Sequence, residues 1–152
     1  ASLTNVDVND VIRSVERIVH GDANLHKVTV HLDLSSDVRP VKGDSVQLQQ
    51  VILNLMLNAF SAMSGSGLDG ARCLVVRTNS IDESNVLVEV QDSGTGIAAE
   101  KLESIFDPFI TSKPEGLGMG LSICRSIIER HGGKISAAND PGRGAKFSIT
   151  RA

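Results

Sequence analysis

The sequence predicts an α+β domain: a two-layer sandwich with three helices on one face of a mixed, mostly antiparallel sheet. Three observations carry this reading. Segments near residues 9–20, 44–62 and 119–131 repeat apolar residues at helical spacing. Two pairs of strand-like runs, 72–79 with 86–91 and 134–138 with 145–150, follow one another with no helix between them. That order is not strict β-α-β alternation, and a length of 152 residues fits one domain.

Each element has its own signal. In the first helix, from about Asn9 to His20, the residues Val8, Val11, Ile12, Val15, Ile18 and Val19 form an apolar face, and Gly21 is placed to stop it. Val28, Val30, Leu32 and Leu34 alternate with polar residues, which predicts a strand. Pro40 and Gly43 mark a break. The second helix starts near Asp44, where Asp44 and Gln47 have the spacing of a capping box. Its core stripe is Leu48, Val51, Ile52, Leu55, Ala59 and Ala62. A Ser-Gly loop over 64–70 leads to the two Val-rich strands. Residues 92–120 have little periodicity beyond a helical turn around Glu100 to Ile105, and so long a loop in a compact domain is usually functional. The third helix runs from about Met119 to His131, with Gly132 as terminator and His131 as a helix-end residue favoured by the dipole. Two short strands close the chain.

Composition narrows the function. Apolar residues are 41% and charged residues 22%, ordinary for a globular domain. Fifteen basic against eighteen acidic residues give a net charge of −3, with no block of like charge. Four Phe, no Trp and no Tyr supply no base-stacking platform. Nucleic-acid binding and direct membrane contact are therefore not expected. Cys73 and Cys124 lack the paired spacing of a zinc or redox site and sit in apolar runs, so two reduced core thiols are expected. No run of 18 apolar residues occurs and the first residues carry no signal peptide, so a cytoplasmic domain is expected. The chain begins at Ala1 rather than Met, which suggests a fragment, and a membrane segment upstream in the parent stays open.

Chemistry is concentrated in three places. Asn54 and Asn58 stand four apart on one face of an otherwise apolar helix. Asn is a poor mid-helix residue, and an unpartnered buried amide is costly. A satisfied core network explains the pair as well as a ligand pocket does, and in a pocket an Asn oxygen can coordinate Mg²⁺. Next, Asp92-Ser93-Gly94-Thr95-Gly96-Ile97 follows a Val-rich strand. A carboxylate there can accept from the exocyclic amine of adenine and discriminate against the carbonyl of guanine, although the segment alone is a weak signal and reads more readily as an ordinary Asp-Ser-Gly turn. Third, Gly116-Leu117-Gly118-Met119-Gly120 opens a helix, where free backbone N–H groups and the dipole suit phosphates, although the piece alone reads equally as a flexible loop with an N-cap. The spacing is neither a dinucleotide fingerprint nor a P-loop.

Taken in order, Asn54 and Asn58, Asp92 to Gly96, Phe106-Asp107-Pro108-Phe109, Gly116 to Gly120, and Gly142-Arg143-Gly144 resemble the ATP-binding catalytic domain of sensor histidine kinases. This is the Bergerat-fold class shared with the DNA gyrase B subunit, HSP90 and MutL. The stretches 49–63 and 108–120 are most similar to PAS-linked and nitrogen-regulation-type kinases. The resemblance implies that Asn58 coordinates Mg²⁺ and that Asn54 lines the phosphate pocket beside it. It implies that Asp92 reads adenine, with Gly94, Gly96 and Ile97 shaping that wall. Residues from about 98 to 117 correspond to a lid over the nucleotide. Gly116, Leu117, Gly118, Met119, Gly120 and Leu121 correspond to its phosphate-contacting hinge. Lys113 sits where a cation would meet the outer phosphates, though a solitary loop lysine is more often solvated. Phe106 and Phe109 either dock the lid on a partner domain or pack it down.

The pattern departs from the family twice: Ser61 stands where many members carry Lys or Arg, and Ala145 follows Gly144 where Ser or Thr is usual. The resemblance implies a kinase that uses ATP and Mg²⁺, a His acceptor on a separate dimerisation and phosphotransfer domain of the same kinase, and a response regulator receiver domain downstream. In gyrase, HSP90 and MutL a water-activating Glu occupies position 54; an amide cannot act as that base. None of His20, His26, His31 and His131 lies in an acceptor motif. A Ser/Thr kinase of the anti-sigma type on the same fold is a second reading, disfavoured by the long lid with its Phe motif. A non-catalytic nucleotide-binding module is a third, disfavoured by the intact Asn58, Asp92 and lid glycines.

Overall fold

The computed structural model describes residues 3–64, 72–82, 85–93, 106, 117–140 and 144–151. It contains β1 (Thr4–Val6), α1 (Val8–Leu25), β2 (Val28–Leu34), β3 (Val41–Gly43), α2 (Ser45–Ser64), β4 (Arg72–Ser80), β5 (Val86–Asp92), α3 (Leu117–Arg130), β6 (Lys134–Asp140) and β7 (Gly144–Arg151). The main sheet has five strands in the order β2-β4-β5-β7-β6. β2 and β4 pair in parallel; every other neighbouring pair is antiparallel. A parallel pair needs a crossover, and the stretch through β3 and α2 supplies it. α1 packs over β2, α2 over β4 and β5, and α3 over β6, which gives the expected two-layer α+β sandwich.

Strand burial alternates as the pleat requires. Leu74, Val76 and Thr78 of β4 are buried, as are Val86, Val88 and Val90 of β5. The register sets Val76 opposite Val90 and Leu74 opposite Asp92, so Asp92 ends a row of buried side chains. α2 is the central core helix: Val51, Ile52, Leu55, Met56, Phe60 and Met63 are all buried, a wider surface than one stripe.

Several boundaries depart from the sequence reading. α1 is capped by Asp7, whose Oδ1 accepts from the N–H groups of Asn9 (2.9 Å) and Asp10 (3.3 Å). It continues through Gly21 to Leu25, because burying Ala23 against the core outweighs the weak helix propensity of one glycine. Ile18 is 58% exposed and lies outside the buried face, whereas Asn9 lies within it. The Asn9 amide donates to the Ser35 carbonyl (2.8 Å) and accepts from Thr78 Oγ1 (2.8 Å), and Thr78 Oγ1 accepts from the Ser35 N–H (3.0 Å). This closed network satisfies the buried polar atoms and pins the start of α1 to two strands. β1 and β3, which pair antiparallel, are three residues each and too short for periodicity to reveal. α3 starts at Leu117, so Gly118 and Gly120 lie in its first turn rather than ahead of it. It ends as predicted at Gly132, whose φ of 78° is left-handed. The N–H of Gly133 donates to Ile128 O (2.9 Å) and that of Gly132 to Glu129 O (3.0 Å), a Schellman closure. The helical turn expected at 100–105 and the Ser-Gly loop at 65–70 lie outside the described residues.

Candidate active site

α2 organises the site, and its partners are fixed by three side-chain contacts with α3. At the start of α2, the Asp44 N–H donates to Nε2 of His131 (3.0 Å). Midway, the Cys124 thiol lies 3.9 Å from the Val51 carbonyl and 3.8 Å from Nδ2 of Asn54. The contacts advance along α2 as they retreat along α3, so the two helices are antiparallel. One further turn, about 5.4 Å along each axis, sets Asn58 level with Gly120 and the first turn of α3. That turn carries the backbone N–H groups that no intrahelical carbonyl accepts from.

The third wall comes from the sheet. Asp92 is the last residue of β5 and is 6% exposed. The neighbouring Ser93 hydroxyl accepts from the Cys73 N–H (3.0 Å) and lies 3.4 Å from the Met63 sulfur. The end of β5 is thereby tied to β4 and to the last turn of α2. The sequence motifs thus fall on α2, on the end of β5 with Asp92 and on the start of α3, with Asn54 midway along α2 against Cys124. Asn54 and Asn58 are half-buried rather than enclosed, and among the described residues the Asn58 side chain has no hydrogen-bond partner. An open amide oxygen at this place suits a hard cation such as Mg²⁺, which bonds to oxygen and keeps several waters. Leu121 is buried behind the first turn of α3. Phe106 is buried too, which favours packing down over docking for this residue. Gly94, Gly96, Ile97, Lys113, Gly116 and Phe109, and the expected lid apart from Phe106 and Leu117, lie outside the described residues.

Two residues act differently from expectation. His131 stands at the helix end but is buried and bonded on both sides: Nε2 accepts from the Asp44 N–H, so the proton sits on Nδ1, which donates to Ile127 O (2.8 Å). The capping box is consequently half formed. Asp44 Oδ1 accepts from the N–H groups of Val46 (3.0 Å) and Gln47 (3.3 Å), but the reciprocal bond is replaced by His131. No local signal could reveal a pairing across 87 residues. The thiols also differ. Cys124 is fully buried and burial pushes it up to about 11, whereas Cys73 is only half-buried; both are free. A small cavity of about 30 Å³ lies among Val11, Val51, Ile52 and Val88. Its walls are apolar and contain none of the site residues, so it is a packing void rather than the ligand site. Among the described residues no group of three or more His, Cys, Asp and Glu could hold a metal, and no helix is long and apolar enough to cross a membrane.

Three helices on one face of a mixed, mostly antiparallel sheet make an α+β sandwich of the class to which histidine kinase catalytic domains belong. Residues 43–151 match the family described as "Histidine kinase-, DNA gyrase B-, and HSP90-like ATPase". The chain belongs to this family, and within it to the histidine kinase catalytic domains. It is 37% identical over 147 residues to sensor protein TdiS of Thauera aromatica, an alignment covering 97% of this chain and 27% of the relative. It is 35% identical over 145 residues to sensor histidine kinase ZraS of Klebsiella oxytoca, covering 95% of this chain and 30% of the relative. The chain therefore spans less than a third of these curated relatives. The nucleotide-free catalytic domain of histidine kinase ThkA superposes with a TM-score of 0.83 at 32% identity, covering 99% of this chain and 95% of that one. ThkA in complex with response regulator protein TrrA matches with a TM-score of 0.76 at 29% identity, covering 98% of this chain and 41% of that one.

Proposed function

We propose that this domain binds Mg-ATP around the end of α2 and passes the γ-phosphoryl to a His on a separate helical dimerisation domain of the same kinase. From there the group goes to an Asp of a response regulator receiver domain, on the cytoplasmic side of the cell. The observation that supports the reading is the antiparallel packing of α2 against α3: Asn54 lies 3.8 Å from Cys124, and Asn58 stands one turn further along α2 in the direction in which α3 runs back to its start.

The residues divide the work. Asp92 accepts from the adenine amine, beside Gly94, Gly96 and Ile97. The first turn of α3, with Leu117, Gly118, Met119 and Gly120 backed by Leu121, offers backbone donors to the phosphates, extended by Gly116 and Lys113. Asn58 would hold Mg²⁺, which when bound offsets phosphate charge; Asn54 sits one turn earlier on the same face. Phosphoryl transfer depends mainly on positioning and charge stabilisation, so these roles supply the nucleotide half of the geometry. The acceptor imidazole forms the new N–P bond as the β,γ-bridging P–O bond breaks and ADP departs with the electron pair.

The test is radiolabel transfer from γ-labelled ATP when the chain is mixed with a helical hairpin bearing the acceptor His, ideally the parent's own. Acid-labile, base-stable label on that partner is expected, slow in trans and abolished by Asn58→Ala. Label on Ser or Thr instead would favour the anti-sigma type.

A further inference from the structure

Cys124 is fully buried in α3, and its thiol touches two groups of α2 that lie three residues apart: the Val51 carbonyl at 3.9 Å and the Asn54 Nδ2 at 3.8 Å. A carbonyl only accepts, so the S–H is directed at Val51 O and the sulfur lone pairs remain to accept from the Asn54 amide. The chain of bonds runs from the Asn54 N–H to sulfur and from S–H to the backbone of the same helix. An asparagine amide has two orientations related by a flip, and this polarity selects the one with Nδ2 toward α3.

We propose that Cys124 is a positioning residue for the nucleotide site: its thiol locks the Asn54 amide in one orientation, leaving Oδ1 to accept from the ligand side. An oxygen repels phosphate oxygens and suits a cation or a cation-bound water, so the locked orientation favours the metal-loaded nucleotide over free nucleotide. This rests on the nucleotide reading of Asn54 given above. No other side chain is recorded in a hydrogen bond to the Asn54 amide among the described residues, which leaves the thiol as the group that sets its flip.

A double-mutant cycle tests it, with calorimetry of the whole chain against a non-hydrolysable ATP analogue, with and without Mg²⁺. Cys124→Val replaces the thiol by a somewhat larger apolar side chain and removes both hydrogen-bond functions; Cys124→Ser keeps both. One weak hydrogen bond corresponds to about a three- to tenfold change. Cys124→Val is expected to weaken Mg²⁺-dependent affinity by that factor and to leave Mg²⁺-free affinity within about twofold, with Cys124→Ser restoring the wild-type value. In the Asn54→Ala background Cys124→Val should have no further effect. Equal losses in both backgrounds, or no loss in the first, overturn the positioning role while leaving the site intact. Unchanged affinity in Asn54→Ala alone overturns the nucleotide reading of Asn54 and this proposal with it. Should Cys124→Val fail to fold, Cys124→Ala runs the same cycle.

Discussion

Asp92 is an acceptor-only side chain buried where β5 runs out. Adenine presents a donor at its exocyclic position and guanine an acceptor, so the same carboxylate attracts one base and rejects the other. Losing a hydrogen bond to a charged group costs about 1.5–3 kcal/mol. Asp92→Ala should therefore weaken ATP binding by about one to two orders of magnitude and erase the preference over GTP, read by calorimetry. Near-equal ATP affinity in wild type and variant would remove Asp92 from the base wall. Cys124 gives a second residue-scale expectation. Burial lifts its thiol from the ordinary 9.0 to about 11. Between those values the unfolded chain loses the proton and the folded chain keeps it, so stability present below pH 9 falls as pH rises toward 11. Two pH units correspond to about 2–3 kcal/mol as an upper figure. Urea denaturation at pH 8 and pH 10.5 should show a steeper loss in wild type than in Cys124→Val; parallel losses would count against the buried protonated thiol. Both residues were visible in the sequence, Asp92 as a charge closing a Val-rich run and Cys124 as a thiol in an apolar stripe. The contact of Cys124 with Asn54 was not, because it joins positions 70 apart.

Element boundaries follow from competition between local and tertiary terms, and two glycines show opposite outcomes. Gly21 looked like a stop, yet α1 passes through it, and a Cβ there would meet nothing within 4 Å. Replacing a helical glycine by alanine in open space gains about 0.5–1 kcal/mol. Gly21→Ala should raise the melting temperature by a few degrees, about 1–4 °C for a domain of this size, and a lower value would place a hidden constraint on that turn. Gly43 looked like a simple break, yet it ends β3 against the α2–α3 clamp. A Cβ there would lie 2.9 Å from His131 Cδ2 and 3.0 Å from Leu48 Cδ1. Overpacking of this kind costs about 1–3 kcal/mol. Gly43→Ala should destabilise the chain by that amount in urea, and by less once His131→Ala has cleared the ring, since contacting sites are not additive. An unchanged cost would put the clash on Leu48 alone. Long periodic elements such as β2, β4, β5, α2 and α3 were legible within a residue or two. β1 and β3 were not, because three residues cannot display a period and their pairing is long-range.

At the scale of the whole molecule, one antiparallel helix pair packs on one sheet, with Asn54 and Asn58 on α2, Asp92 at the end of β5 and the last glycines of the third motif in the first turn of α3. Each motif read alone admits a loop, a turn or a core network, and it is their order in the sequence that carries the site reading. The described residues also bear on which groups could act there. Position 54 carries an amide held beside a thiol, so no carboxylate stands at the family's water-activating place. Of the four histidines, His131 is buried with both ring nitrogens bonded inside the fold, and His26 has its Nδ1 at the Asp22 carbonyl and stacks on Phe60 at 6.1 Å. His20 lies on α1 and His31 on the edge strand β2. Among the described residues, neither a carboxylate at position 54 nor an acceptor-motif histidine is present to serve as base or nucleophile. The chain alone should bind Mg-ATP, release phosphate slowly and acquire no label of its own. A phosphate-release assay on the isolated chain decides the matter: multiple rapid turnovers would show that some other group activates water, and would move the domain toward the hydrolysing relatives of its fold.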